Sequence, residues 1–139
     1  SPVLGWFFRL CKAIPIAPQK EDPQAYERAF ERARQVLADG DLLCLFPEGA
    51  ITKDGQMQPF KGGIMKILET HPVPVVPAAL HNLWGSYFSR IEGAAMSKPF
   101  RRGIFNHVGL VVGPALKPED VTPEGLQAVV QGLLNEPSP

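Results

Sequence analysis

Glu48 stands between a proline and a glycine, and further along Lys61 runs directly into Gly62 and Gly63. Glu48 follows a continuous apolar run, Leu42 to Phe46, so it sits just past the end of what reads as a buried strand. In open α/β sheets that edge is where ligands bind. Pro47 stiffens the exit, and Gly49 lets the backbone turn or come close to a ligand. A carboxylate held there can accept hydrogen bonds from a substrate hydroxyl. Lys61 precedes two glycines at a helix entrance. Free backbone N–H groups, the positive end of the helix dipole and the ammonium together make an anion site suited to phosphate. No Gly-Lys-Ser or Gly-Lys-Thr occurs, so this is not a P-loop. Alone, each pattern is an ordinary turn or helix entrance. Their order around one strand–loop–helix unit makes them specific.

The elements that must place these groups follow from periodicity. A helix is expected from Pro23 to Asp39, with Asp22 as cap, Pro23 at the first position and Gly40 as the left-handed stop. Tyr26, Ala29, Phe30, Ala33, Val36 and Leu37 share one face of it, and charged residues cover the other. Asp41 to Phe46, uniformly apolar after its first residue, is expected as a strand covered on both faces. A loop then leads to a second helix after Lys61-Gly62-Gly63, ended by His71-Pro72. Val73 to Leu80 reads as another strand, at an edge or bulged because of its prolines. Val108 to Val112 is a further strand, and Thr122-Pro123 opens a last helix with Leu126, Val129, Val130, Leu133 and Leu134 on one side. Strands alternating with helices give an α/β fold, a mainly parallel or mixed sheet flanked by helices.

Composition narrows the function classes. At 139 residues, with 45% apolar and 20% charged residues, the chain can build one core, and residues 1–139 read as a single domain. Fourteen basic and 14 acidic side chains cancel, which argues against a dedicated nucleic-acid binder. Cys11 and Cys44 are too few for a zinc site or a disulfide scaffold. Cys44, inside the apolar run, reads as a buried free thiol of a reducing compartment. No metal or cofactor is expected. No apolar run approaches the ~20 residues needed to cross a bilayer, so the chain reads as soluble or peripheral. Its abrupt hydrophobic opening, Val3 to Leu10, is expected of an N-terminally truncated domain.

Phe46-Pro47-Glu48-Gly49, Phe60-Lys61-Gly62-Gly63 and Val75-Val76-Pro77-Ala78 together resemble the glycerolipid acyltransferase family, of the 1-acylglycerol-3-phosphate acyltransferase type. Lys12-Ala13-Ile14-Pro15-Ile16 resembles the block that precedes them in that family, and the resemblance spans roughly Phe7 to Val112. It implies transfer of a fatty acyl group from acyl-carrier protein or coenzyme A to a lysophospholipid or glycerol-phosphate hydroxyl. Glu48, Gly49, Thr52, Lys61, Gly62 and Gly63 would then line the acceptor site. It further implies a larger membrane acyltransferase acting at the cytoplasmic face of the membrane. The wording Phe-Pro-Glu-Gly-Ala-Ile-Thr looks more like domains fused to a transporter-like portion or an acyl-activating domain.

Three departures qualify the resemblance. The family's histidine with an aspartate five residues on is missing: Val76, Ser86 and Val112 follow His71, His81 and His107 at that spacing. Without that general base and its orienting partner the chain is expected to be inactive by itself. Where relatives carry a phosphate-holding arginine, Ile16-Ala17-Pro18-Gln19 has none, and Lys20 is the nearby substitute, a point charge rather than a bidentate fork. Ala50 and Ile51 replace the hydroxyl and basic residues that follow Pro-Glu-Gly, with Thr52 and Lys53 left to compensate. Between Trp84 and Phe105, aromatics accompany Arg90, Lys98, Arg101 and Arg102. That mixture suits an anionic membrane surface. The plainer alternative is a loop whose aromatics pack down on the sheet. A non-catalytic module that binds phospholipid or a partner, and a nucleotide-binding α/β protein, are the competing functions.

Overall fold

Helix α1 (Pro23–Ala38) forms where the sequence puts its cap and its stripe. The Asp22 carboxylate accepts from the Ala25 N–H at 2.8 Å, Pro23 opens the helix, and Gly40 follows its end at φ +79°. Ala29 and Ala33 are buried, while Tyr26, Phe30, Val36 and Leu37 are half-buried on the same face. The Tyr26 and Phe30 rings meet at 4.8 Å. On the polar side Arg34 Nε donates to Glu31 at 3.1 Å, in a fully exposed pair that contributes little. Removing the cap, Asp22→Ala, is expected to cost about 1 kcal/mol. An unchanged melting temperature would mean that the bond adds nothing.

The computed structural model describes residues 5, 6, 9–84 and 107–137, in two units, Ser1–Cys44 and Leu45–Pro139. Helix α1 belongs to the first. The second holds α2 (Gly63–Thr70), β1 (Ala78–His81), β2 (Gly109–Val112), a 3-10 turn (Pro118–Asp120) and α3 (Pro123–Asn135).

Two expectations are corrected. The sheet of the described residues is two-stranded and antiparallel, where a mainly parallel or mixed sheet is expected from the sequence: Ala78 pairs with Val112 and His81 with Gly109. Nor is Asp41 to Phe46 a buried strand. Those residues lie outside any strand, Leu42 is 92% exposed and Phe46 71%, and Cys44 is exposed rather than buried. The physical reason is shared. A doubly covered strand needs a neighbouring strand on its edges and layers on its faces, and the described residues supply neither to this run. Of the expected strand Val73 to Leu80, only the end joins the ladder, which runs one residue further to His81. Pro74 and Pro77 bring no N–H to it. Before it, Val75 forms a lone bridge with Leu116.

The core of the second unit is Ile64 and Leu68 from α2, Val121, and Leu126 from α3, with Phe60, Met65, Val73, Val75, Leu116 and Val130 against them. Val121 is the most buried, at 2% exposure. The Thr122 hydroxyl caps α3 by accepting from the Gly125 N–H at 3.1 Å. Helix α3 packs on β1 and β2, so one face of the ribbon is covered. The opposite face, with Leu80, Leu110 and Val112, is exposed. This core holds α2 in place, and α2 begins at the Lys61-Gly62-Gly63 entrance.

Candidate functional site

The turn at Glu48 is built from backbone. The Gly49 N–H donates to the Phe46 carbonyl at 3.1 Å, closing a tight turn in which Gly49 adopts φ +66°. That left-handed conformation penalises any residue with a Cβ. The Lys61 N–H then donates to the Pro47 carbonyl at 2.9 Å, so the two sequence patterns are joined across the intervening loop. Helix α3 steadies the same stretch, because Gln127 Oε1 accepts from the Phe60 N–H at 3.2 Å.

Side chains converge on that frame. Glu48 is half-buried, and its Oε2 accepts from the Gln58 N–H at 2.7 Å. The Lys61 side chain folds back over Gly49: a Cβ added there would lie 3.0 Å from Nζ, 3.2 Å from Cδ and 3.3 Å from Cε. Glu48 and Lys61 are not ion-paired with each other. The carboxylate's second oxygen and the ammonium therefore both keep capacity for a ligand. Gly62 caps α2 with no side-chain hydrogen bond, and a Cβ on it would meet nothing within 4 Å. Gly62 is exposed and Gly63 half-buried at this entrance, the end of α2 where the helix dipole is positive.

The loop between the two patterns organises itself. Thr52 Oγ1 donates to Asp54 Oδ1 at 2.7 Å, and the same carboxylate oxygen accepts from the Gln56 N–H at 3.0 Å. The Thr52 hydroxyl first, and then the Gln56 amide, hold the Asp54 carboxyl below the usual carboxylate range. A carboxyl lowered in this way supports the turn fully above its ordinary pKa, and that support is lost as pH falls through the lowered value. Thr52 is in this way committed to shaping the loop. Gly55, at φ +79°, lies under the indole of Trp84, with Cε2 2.8 Å and Cγ 3.1 Å from the place of its Cβ. No sequence signal singles out Gln58 or Gln127. Lys53-Asp54-Gly55 reads as a loop, but nothing in the sequence gives Trp84 as the cover of its glycine.

The other expected residues fall as follows. Lys20 is exposed in a turn of the first unit. Arg90, Lys98, Arg101 and Arg102 lie outside the described residues. His81 is buried and its Nε2 meets the Leu133 carbonyl at 3.0 Å, the local satisfaction expected of a structural histidine. His71 ends α2, its N–H donating to the Ile67 carbonyl at 2.9 Å. Among the described residues no helix is long and apolar enough to cross a membrane.

Gly49→Ala tests the turn. The methyl adds about 1 kcal/mol of left-handed strain and displaces the Lys61 side chain, whose end is flexible enough to move. The expected result is a loss of stability of about that size, read by equilibrium denaturation. Unchanged stability would mean that the turn relaxes without cost.

A family model described as Acyltransferase matches residues 1–81. Among curated proteins, a chloroplastic 1-acyl-sn-glycerol-3-phosphate acyltransferase of Brassica napus is 34% identical over 57% of this chain and 22% of its own length. One from Cocos nucifera is 31% identical over 69% of the chain and 32% of its own length. The 1-acyl-sn-glycerol-3-phosphate acyltransferase of Pseudomonas aeruginosa is 28% identical over 94% of the chain and 46% of its own length. The chain therefore spans less than half the length of these relatives. No solved structure matches it significantly.

Proposed function

Because this chain belongs to the acyltransferase family, we propose that the protein carrying it transfers a fatty acyl group to the hydroxyl of a glycerol-phosphate acceptor. The lysophospholipid 1-acylglycerol-3-phosphate, the acceptor in the relatives' names, is the first candidate. The observation that carries this reading is the meeting of Glu48, Gly49 and Lys61 in one turn at the entrance of α2. The free oxygen of Glu48 accepts a hydrogen bond from an acceptor hydroxyl and orients it. Lys61 and the Gly62 and Gly63 amides face the phosphate, the strongest anion such an acceptor offers.

Transfer requires the acceptor oxygen to attack the thioester carbonyl of an acylated acyl-carrier protein or of acyl-coenzyme A. The proton leaves to a base as the thiolate departs, without a metal, a cofactor or a covalent enzyme intermediate. The base would be the family's histidine, paired with its aspartate. None of His71, His81 and His107 has an aspartate five residues on, and His81 is committed to a carbonyl, so in this reading the base comes from a part of the protein outside this chain, and the chain alone is expected not to turn over. In this reading the transfer takes place at the cytoplasmic face of a membrane, where the basic residues Arg90, Lys98, Arg101 and Arg102 would meet anionic headgroups.

The test offers labelled acyl-carrier protein and acyl-coenzyme A donors to the full-length protein and to this chain, with lysophospholipid and glycerol-phosphate acceptors. Transfer by the full-length form alone supports the reading. Phospholipid binding without transfer by either form would replace it with a non-catalytic lipid-binding module.

A further inference from the structure

The loop from Gly49 to Gln58 contains no helix or strand. Its internal bonds, Thr52 to Asp54 and Asp54 to Gln56, each link residues two apart. Such bonds give a loop its shape but cannot fix its place on the protein. Beyond Gly49, whose N–H donates to the Phe46 carbonyl and over which the Lys61 side chain folds, two contacts hold the loop from outside. One is the Gln58 N–H on Glu48 Oε2, at 2.7 Å. The other is the indole of Trp84 on Gly55, where three ring atoms lie 2.8–3.1 Å from the position of an absent Cβ. A Cβ there would force the indole to shift, and φ +79° favours glycine independently. Trp84 lies just beyond β1, next to a strand anchored on α3. The loop is therefore pressed from a fixed part of the fold at its middle and tied to Glu48 at its end.

We propose that Trp84 is a positioning residue for Glu48, acting through Gly55 and the Gln58 amide to set the carboxylate for the acceptor hydroxyl. This rests on the acceptor role of Glu48 given above. The indole needs no contact with substrate. Without it the loop keeps its local turn but loses its place, the Gln58 N–H leaves Glu48, and the carboxylate samples orientations that do not meet the hydroxyl. The acceptor is affected and the acyl donor is not.

The test uses the full-length protein with Trp84→Ala, Trp84→Phe, Gly55→Ala and the Trp84→Ala/Gly55→Ala double variant. Trp84→Ala is expected to raise the acceptor KM roughly tenfold, since a displacement of about 1 Å carries an effect of that order or more. The donor KM should stay unchanged. Trp84→Phe restores most of the activity, because a flat ring still covers the glycine. Gly55→Ala mimics Trp84→Ala, and the double variant loses less than the product of the two, as groups in contact do. Independently of turnover, hydrogen exchange at the Gln58 amide should accelerate in Trp84→Ala. Unchanged exchange, an equal rise in both KM values, or strict multiplication of the two single effects would each overturn the proposal. If exchange accelerates while the wild type transfers no acyl group, the positioning contact stands and the acyltransfer reading fails.

Discussion

Glu48→Ala in the full-length protein is expected to lower kcat/KM for the acceptor about 100-fold, or about 2.7 kcal/mol of transition-state stabilisation. The size follows from geometry. Glu48 Oε2 is engaged by the Gln58 N–H at 2.7 Å, so the carboxylate is held by one oxygen and offers the other. Removing it costs the acceptor its hydrogen bond and also releases the end of the loop at Gln58. Glu48→Gln keeps an oxygen for Gln58 but loses the charge, so it should fall between the wild type and Glu48→Ala. Assays with acceptor and donor varied separately check this, together with melting curves of both variants. If Glu48→Ala transfers normally, Glu48 is an ordinary turn residue and the site lies elsewhere.

The largest effect on stability is expected at Leu126. Its side chain, 5% exposed, joins Ile64 and Leu68 of α2 and Val121 in the core of the second unit. Leu126→Ala removes buried hydrocarbon and leaves a cavity, at about 2–5 kcal/mol. The next residue, Gln127, accepts from the Phe60 N–H just before Lys61. Loosening α3 therefore loosens the entrance of α2 as well. Equilibrium denaturation checks the loss, and hydrogen exchange at Phe60 should accelerate with it. A loss below about 1 kcal/mol would show that the core collapses around the smaller side chain.

What the sequence revealed divides along the reach of the interactions. Helix α1 was legible from Asp22 to Gly40 because caps, first-turn proline and stripe are local signals. The apolar stripe of α3 and its Thr122 cap were legible for the same reason. The patterns around Glu48 and Lys61 stood out through their order, and the backbone bond from Lys61 to Pro47 shows why that order matters. The apolar run at Leu42 to Phe46 was misread, since apolarity says what a segment would bury and not whether anything lies beside it. The sheet's direction was hidden too, because the partners at Ala78 and Val112 are distant in sequence and neither strand records its neighbour's orientation. Trp84 on Gly55 was invisible for a related reason: an aromatic in an irregular stretch carries no signal of which glycine it covers.

The indole over Gly55 also makes the loop optically addressable. This chain has two tryptophans, Trp6 and Trp84. Trp6, in the first unit, is 65% exposed, so its emission resembles that of an indole in water. Trp84 is 38% exposed, its ring against peptide, and its emission reports whether the backbone stays beneath it. Replacing Trp6 by phenylalanine would leave Trp84, beside the Glu48 loop, as the single tryptophan of this chain. Displacement of that loop on unfolding could then be followed by stopped flow, with no label attached.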